Sequence, residues 1–131
     1  MKMSGKKRIL ILDDEPSITF SLSRCLQSES VHVISCNDSQ SARSVIADDG
    51  IDAVIADVRL SAVNSRECLD FIQFVRQRDH QLPLIMMSGN EDLMNEAMQE
   101  GANYFFHKPV DVDELIHLLQ GLGLEVGQKQ F

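Results

Sequence analysis

The sequence predicts a three-layer α/β domain, a five-stranded parallel sheet with five helices on both faces. Three observations carry that prediction. Apolar runs of strand length alternate five times with longer segments of helical period, and such alternation builds right-handed crossovers between parallel strands. The strand runs are apolar throughout, without an apolar/polar alternation, as strands buried on both faces must be. The chain has 131 residues, 44% of them apolar, enough for one compact core that requires neither a disulfide framework nor a structural metal.

In chain order, Arg8 to Leu12 is the first strand. Asp13-Asp14-Glu15-Pro16 follows, with the proline suited to a first helical position, where its missing N–H costs nothing. Ile18, Leu22, Cys25 and Leu26 recur at helical spacing as one inward stripe. Val31 to Ser35 is the second strand, and a helix from about Asp38 to Ala47 turns Ala42, Val45 and Ile46 inward before stopping at Gly50. Asp52 to Ala56 is the third strand and ends at Asp57. Asn64 with Glu67 forms a capping box for a helix whose inward face is Cys68, Leu69, Ile72 and Val75. Pro83 to Met87 is the fourth strand, ending at Ser88. A helix over about Glu91 to Glu100 carries the apolar residues Leu93, Met94, Ala97 and Met98, with Gly101 as its stop. Asn103 to Phe106 is the fifth strand, ending at Lys108-Pro109. Asp111 and Glu114 form a second capping box, and Leu115, Leu118, Leu119 and Leu122 are the inward stripe of the last helix. The organisation expected is a basic leader over 1–6, one domain over 7–120, and a Gly-rich tail or linker start over 121–131, with no room for a separate output domain.

Twelve Lys and Arg against twenty Asp and Glu leave a net charge of −8 at pH 7. That balance argues against direct nucleic-acid binding, which needs clustered cations. The basic group Lys2, Lys6, Lys7 and Arg8 reads as a solvated terminus. The apolar runs are too short to span a bilayer and the N-terminus lacks a secretory stretch, which together predict a cytoplasmic protein that does not engage membrane. Cys25, Cys36 and Cys68, without a CxxC pair, read as buried thiols in a reducing compartment. His32, His80, His107 and His117 have no metal-ligand grouping, and none reads as a phosphodonor.

Open parallel sheets place their chemistry at the carboxyl ends of the strands. Here those ends carry Asp13 and Asp14, Asp57, Ser88 and Lys108. Carboxylates gathered so closely raise one another's pKa unless they share a cation, and a hard divalent ion with oxygen ligands, Mg²⁺ by preference, resolves the repulsion. Beside it one carboxylate acts as nucleophile toward phosphorus while hydroxyl and ammonium neutralise the transferring oxygens. Asp57, at the end of the central strand, is the expected acceptor. Each residue taken singly also reads as an ordinary cap or turn; the case rests on the set.

Ile9-Leu-Ile-Leu-Asp-Asp-Glu-Pro-Ser17, Asp52-Ala-Val-Ile-Ala-Asp57, Ser88 after Pro83-Leu-Ile-Met-Met, and Gly101-Ala-Asn-Tyr-Phe-Phe-His-Lys-Pro109 resemble, in order and spacing, the receiver domain of two-component response regulators. The resemblance covers about residues 7 to 120. It implies a flavodoxin-like strand order 2-1-3-4-5, Asp57 as phosphoacceptor, Asp14 as a direct Mg²⁺ ligand, and Asp13 as a ligand through water. It also implies a metal contact from the Arg59 carbonyl, Lys108 as phosphate partner with a cis bond to Pro109, and a switch pair of Ser88 and Phe105. Phe105 lacks a phenolic hydroxyl, so it reports by burial alone, and it reads equally as plain core. Arg59 and Asn90 stand where the family tunes phosphate lifetime, with Arg59 expected to lengthen it; Arg59 reads equally as a solvated side chain. Partners so implied are a histidine kinase or phosphotransfer protein, a downstream protein or fused output domain, and a second copy met through helix 4, strand 5 and helix 5.

The loop after Asp57 departs from the family pattern, with Ser61 where a proline is usual and Ser65 where a glycine is usual. The Ser88 to Gly101 segment is about two residues short, which puts the shape of the fourth helix in question. Three functions remain: a phosphoacceptor signalling module that catalyses only its own phosphorylation and dephosphorylation, a phosphorylation-independent receiver-like interaction domain, and an aspartyl phosphohydrolase. The last wants a DxDxT-like run that Asp13-Asp14-Glu15-Pro16 does not supply.

Overall fold

The computed structural model describes residues 5–48, 50–57, 66–90 and 92–127. Its elements are β1 (Lys7–Leu12), α1 (Pro16–Leu26), β2 (Val31–Cys36), α2 (Ser39–Ala47), β3 (Ala53–Ala56), α3 (Arg66–Arg78), β4 (Leu84–Ser88), α4 (Leu93–Glu100), β5 (Tyr104–His107) and α5 (Val112–Gly121). The strands form one sheet in the order β2-β1-β3-β4-β5, every pair parallel. The architecture is as the sequence predicts, and the strand order is the one the family resemblance implies.

Strand periodicity sorts the core into two layers. Leu10, Leu12, Val54, Ala56, Leu84 and Met86 point to one face, where α2, α3 and α4 cover them with Ala42, Ile46, Phe71, Ile72, Val75 and Ala97. Ile9, Ile11, Ala53, Ile55, Ile85 and Met87 point to the other, under Leu22 and Leu26 of α1 and Leu115 and Leu119 of α5. β3 is buried along its whole length, which explains its unbroken apolar run. In β3 and β4, which are buried throughout, polar residues enter only at the strand ends, whereas edge strand β2 alternates and exposes His32 and Ser35.

Helix starts follow their caps. Pro16 opens α1, the Asp38 side chain accepts from the Ser41 N–H, and the Asp111 side chain accepts from the Glu114 N–H. The expected cap Asn64 lies outside the described residues, as do Ser61 and Ser65.

Two expectations about helix faces, those for Cys25 and Leu122, are corrected, and α3 and α4 add detail. Cys25 is exposed, because the buried stripe of α1 is Thr19, Leu22 and Leu26, about 90° round the helix from it at 100° per residue. Thr19 tolerates that burial because its hydroxyl donates to the Pro16 carbonyl. In α3 the fully buried aromatic Phe71 joins Cys68, Ile72 and Val75, while Leu69 sits at the rim. α4 is short and only Ala97 is buried; Met94 and Met98 are 44% and 40% exposed. Finally, Leu122 is exposed, and Leu124 and Val126 enter the core in its place.

That last substitution shows the packed chain continuing past residue 120, through a segment expected as tail or linker. Gly123, at φ +89°, reverses the chain after α5. The following strap lies against the end of α1: the Gly127 N–H donates to the Leu26 carbonyl at 3.2 Å, the Ser28 hydroxyl to the Glu125 carbonyl at 2.7 Å, and Gln120 to the Val126 carbonyl at 3.2 Å. We expect Leu124→Ala to lower stability by about 2–4 kcal/mol through transfer and cavity terms, and Met98→Ala to change it by about 0.5 kcal/mol or less. Urea midpoints check this; an unchanged midpoint for Leu124→Ala would show that the strap is dispensable to the fold.

Candidate functional site

The carboxyl ends of β1, β3, β4 and β5 meet at one edge of the sheet. Asp57 follows β3 and is 1% exposed; its N–H donates to the Leu12 carbonyl, tying it to the end of β1. Asp13, fully buried, follows β1 and is anchored by its own N–H to the Cys36 carbonyl of β2. Lys108 follows β5, joined to Pro109 by the expected cis bond. Its ammonium donates to Asp13 Oδ2 at 2.7 Å and to Asp57 Oδ2 at 2.5 Å. One cation thus bridges two buried carboxylates, which a low-dielectric interior would otherwise set against each other.

Burial alone would lower the Lys108 pKa, but its hydrogen bonds to Asp13 and Asp57, with their charges, outweigh it and raise the value above the ordinary 10.5. A raised folded-state value means the ion pair stabilises fully below the ordinary lysine range. It is lost only as the pH climbs through the folded value.

The remaining carboxylates stand beside this pair. Asp14 and Glu15 are exposed, and ligand oxygens of Asp13, Asp14 and Glu15 all lie within 4.8 Å of one another. Asp13 Oδ1 also accepts from the Glu15 N–H at 2.9 Å, which fixes the turn. An all-oxygen, all-anionic donor set with a solvent-facing side fits a hard divalent cation such as Mg²⁺. Glu15 was not singled out from the sequence, although its place directly after two aspartates was the available signal.

Ser88 is buried at the end of β4, between the strands that carry Asp57 and Lys108. Its hydroxyl oxygen accepts from the Asn90 N–H at 3.0 Å, so its own proton remains available for donation. Asn90 is exposed, and its side chain accepts from the Asp92 N–H at 2.9 Å, leading the loop into α4. Phe105 is half-buried in the layer under α2, α3 and α4, opposite Met86 of β4. Arg59 lies outside the described residues. Two thiols flank the site without serving it: burial first, then the charge of Asp57 and Glu96, pushes Cys68 up to about 11, and burial with Asp38 raises Cys36. Both therefore stay protonated and inert near neutrality.

A family model described as the response regulator receiver domain matches residues 9–120. The chain belongs to that family. The response regulator protein PilR of Pseudomonas aeruginosa is 32% identical over 117 residues, which are 88% of this chain and 26% of PilR. The DNA-binding transcriptional regulator NtrC of Salmonella typhimurium is 26% identical over 114 residues, 86% of this chain and 24% of that protein. The chain thus spans about a quarter of either relative. Among solved structures, the chemotaxis response regulator CheY4 of Vibrio cholerae superimposes with a TM-score of 0.75 at 24% identity, covering 89% of this chain and 98% of that one. The beryllofluoride-activated NtrC4 receiver domain dimer gives 0.75 at 27% identity, covering 87% and 93%. Among the described residues no helix is long and apolar enough to cross a membrane.

Because Lys108 neutralises two buried carboxylates, Lys108→Ala is expected to destabilise the metal-free protein by about 3 kcal/mol, the cost of stranding buried charge. Added Mg²⁺ is expected to recover more stability in the variant than in the wild type, since ligand binding to the folded state alone raises its stability. Thermal unfolding with Mg²⁺ and with a chelator checks both; equal Mg²⁺ responses in the two proteins would contradict the shared-cation account.

Proposed function

We propose that this receiver domain is a phosphoacceptor signalling module in which Asp57 takes a phosphoryl group from the phosphohistidine of a histidine kinase or phosphotransfer protein. The observation that carries the reading is the Lys108 ammonium bridging Asp13 and Asp57 in a buried strand-end cluster. In the transfer, an Asp57 carboxylate oxygen bonds to phosphorus as the phosphorus–nitrogen bond to the donor imidazole breaks. The leaving electron pair returns to that imidazole. Asp13, Asp14, Asp57 and the Arg59 carbonyl would hold Mg²⁺, with Glu15 at the rim of the cluster. Bound there, the ion offsets charge on the transferring oxygens and lowers the repulsion between nucleophile and phosphate. Lys108 is the protein's own cation for the phosphoryl group, delivered as a point charge on a flexible stem.

In this reading Ser88 donates its spare hydroxyl proton to a phosphoryl oxygen, Phe105 follows it inward, and the surface of α4, β5 and α5 changes its partners. Asn90 tunes phosphate lifetime from the loop beside Ser88, and Arg59 shields the phosphoryl group and prolongs it. The donor protein docks beside the acceptor, where an apolar cleft of about 430 Å³ lies between α1 and the turn after β5, with Glu15 and Lys108 among its lining residues. A second copy docks through α4, β5 and α5, with the exposed Met94 and Met98 available for burial; one similar receiver, NtrC4, is a dimer when activated by beryllofluoride. The output is a downstream protein or a fused domain, and the module works in the cytoplasm without turning over a separate substrate.

Acetyl phosphate with Mg²⁺ is expected to add one phosphoryl group to the wild type and none to Asp57→Asn, read by intact mass; a chelator is expected to prevent the gain. No gain in the wild type would favour a phosphorylation-independent interaction domain, and multiple turnover of small phosphate esters would favour a hydrolase. Arg59→Ala is expected to shorten the lifetime of the phosphorylated form several-fold, and an unchanged dephosphorylation rate would remove that role.

A further inference from the structure

The acidic turn between β1 and α1 is held from outside the site by a single side chain of the β2–α2 loop. Asn37 Nδ2 donates to the Asp13 carbonyl at 2.8 Å and to Thr19 Oγ1 at 3.1 Å. Thr19, 3% exposed, commits its own proton to the Pro16 carbonyl at 3.1 Å. Its oxygen can then only accept from Asn37. Both groups facing the Asn37 amide are acceptors, so the amide orientation follows from the network and both amide protons are used.

Asn37 is itself fixed. Its neighbour Asp38 caps α2 by accepting from the Ser41 N–H at 2.7 Å, and the preceding Cys36 carbonyl accepts from the Asp13 N–H at 3.1 Å. The turn 13–16 is therefore gripped at its entry, through the Asp13 main chain, and at the first turn of α1, through Thr19 and Pro16. Asp14 and Glu15 lie between these two grips and are exposed, with no bulk of core to hold them against their mutual repulsion.

We propose that Asn37 is a positioning residue that, with Thr19, sets the spacing of Asp13, Asp14 and Glu15 for Mg²⁺; the inference rests on the phosphoacceptor reading of the site. Groups that orient metal ligands through hydrogen bonds typically contribute 10- to 100-fold in metal affinity. Because Asn37 grips the turn through main-chain and Thr19 contacts, without touching a carboxylate, the lower end applies.

Calorimetric titration of unphosphorylated protein with MgCl₂ is the test. Asn37→Ala is expected to raise the Mg²⁺ Kd about tenfold. Thr19→Val, which keeps the shape and removes the hydroxyl, is expected to raise it less, and the double variant no more than Asn37→Ala. Phosphorylation by acetyl phosphate is expected to reach the wild-type rate at saturating Mg²⁺, with only the Mg²⁺ midpoint displaced by the same factor. Thermal unfolding in chelator separates this from a stability effect, which would lower the melting temperature and leave the Kd of the folded protein in place. A wild type that binds Mg²⁺ and an Asn37→Ala variant that binds it within twofold would overturn the positioning role alone. A wild type that neither binds Mg²⁺ nor gains a phosphoryl group would overturn the functional reading and this inference with it.

Discussion

Two buried carboxylates sharing one ammonium is the interaction on which the rest of the site depends. Asp13 and Asp57 follow adjacent strands, β1 and β3, so the sheet itself places them side by side. Lys108 follows β5, two interstrand spacings from β3, or about 10 Å. A four-carbon stem covers that distance only if the strand between ends in something small. β4 ends in Ser88, a small residue whose carbonyl accepts the Lys108 N–H at 2.9 Å. The strand order, the small hydroxyl and the long amine are therefore one solution to a single constraint, and exchanging any of them removes the reason for the other two.

The same constraint explains why the burial is sustainable. The charge of a lone aspartate in the core would be expelled or neutralised by a proton. Here the topology brings a compensating cation whose affinity for its proton is raised by the very groups it compensates. The exposed side of the cluster, Asp14 and Glu15, has no such internal partner among the described groups of the site. That side is where a divalent ion fits, and where the turn has to be stiffened from behind, by Asn37 and Thr19.

Much of this was legible in the sequence, for a physical reason. Strands buried on both faces, such as β3 and β4, read as unbroken apolar runs, so their ends are abrupt and the polar residues just beyond them stand out. Asp13, Asp57, Ser88 and Lys108 were found that way. What escaped was whatever depends on helix phase or on a polar group made apolar by its bonds. Thr19 is polar, yet its two hydrogen bonds let it occupy the buried stripe, with Cys25 facing outward. Leu122 continues the period of α5, but the reversal at Gly123 ends that period and sends Leu124 and Val126 inward instead. Glycines around it look like a linker when the contact partners, at the end of α1, are nearly a hundred residues away. Asn37 takes its part from partners on other segments, Asp13 and Thr19, which no local pattern pairs with it.

The least buried helix is also the one tied to the site. α4 contributes one fully buried side chain, Ala97, and owes its place to its C-terminal end. There Arg76 of α3 donates to the Gly101 carbonyl at 2.8 Å, the Leu82 carbonyl at 2.8 Å and Asn103 Oδ1 at 2.7 Å, and Gln73 donates to Glu100 at 2.7 Å. Gly101, at φ +127°, has no room for a side chain: an added Cβ would meet Arg76 Cγ at 2.9 Å. At the other end, the Ser88 hydroxyl holds the loop into α4 through the Asn90 N–H, and Asn90 passes that hold to Asp92. The helix is thus pinned at the end far from the chemistry and suspended, at the near end, from the hydroxyl that the chemistry would recruit. With few apolar contacts to resist movement, an element so attached has a low local cost of displacement. A rearrangement of one hydroxyl at Ser88 then acts on the near end of α4, while the Arg76 network keeps the far end in register with β5.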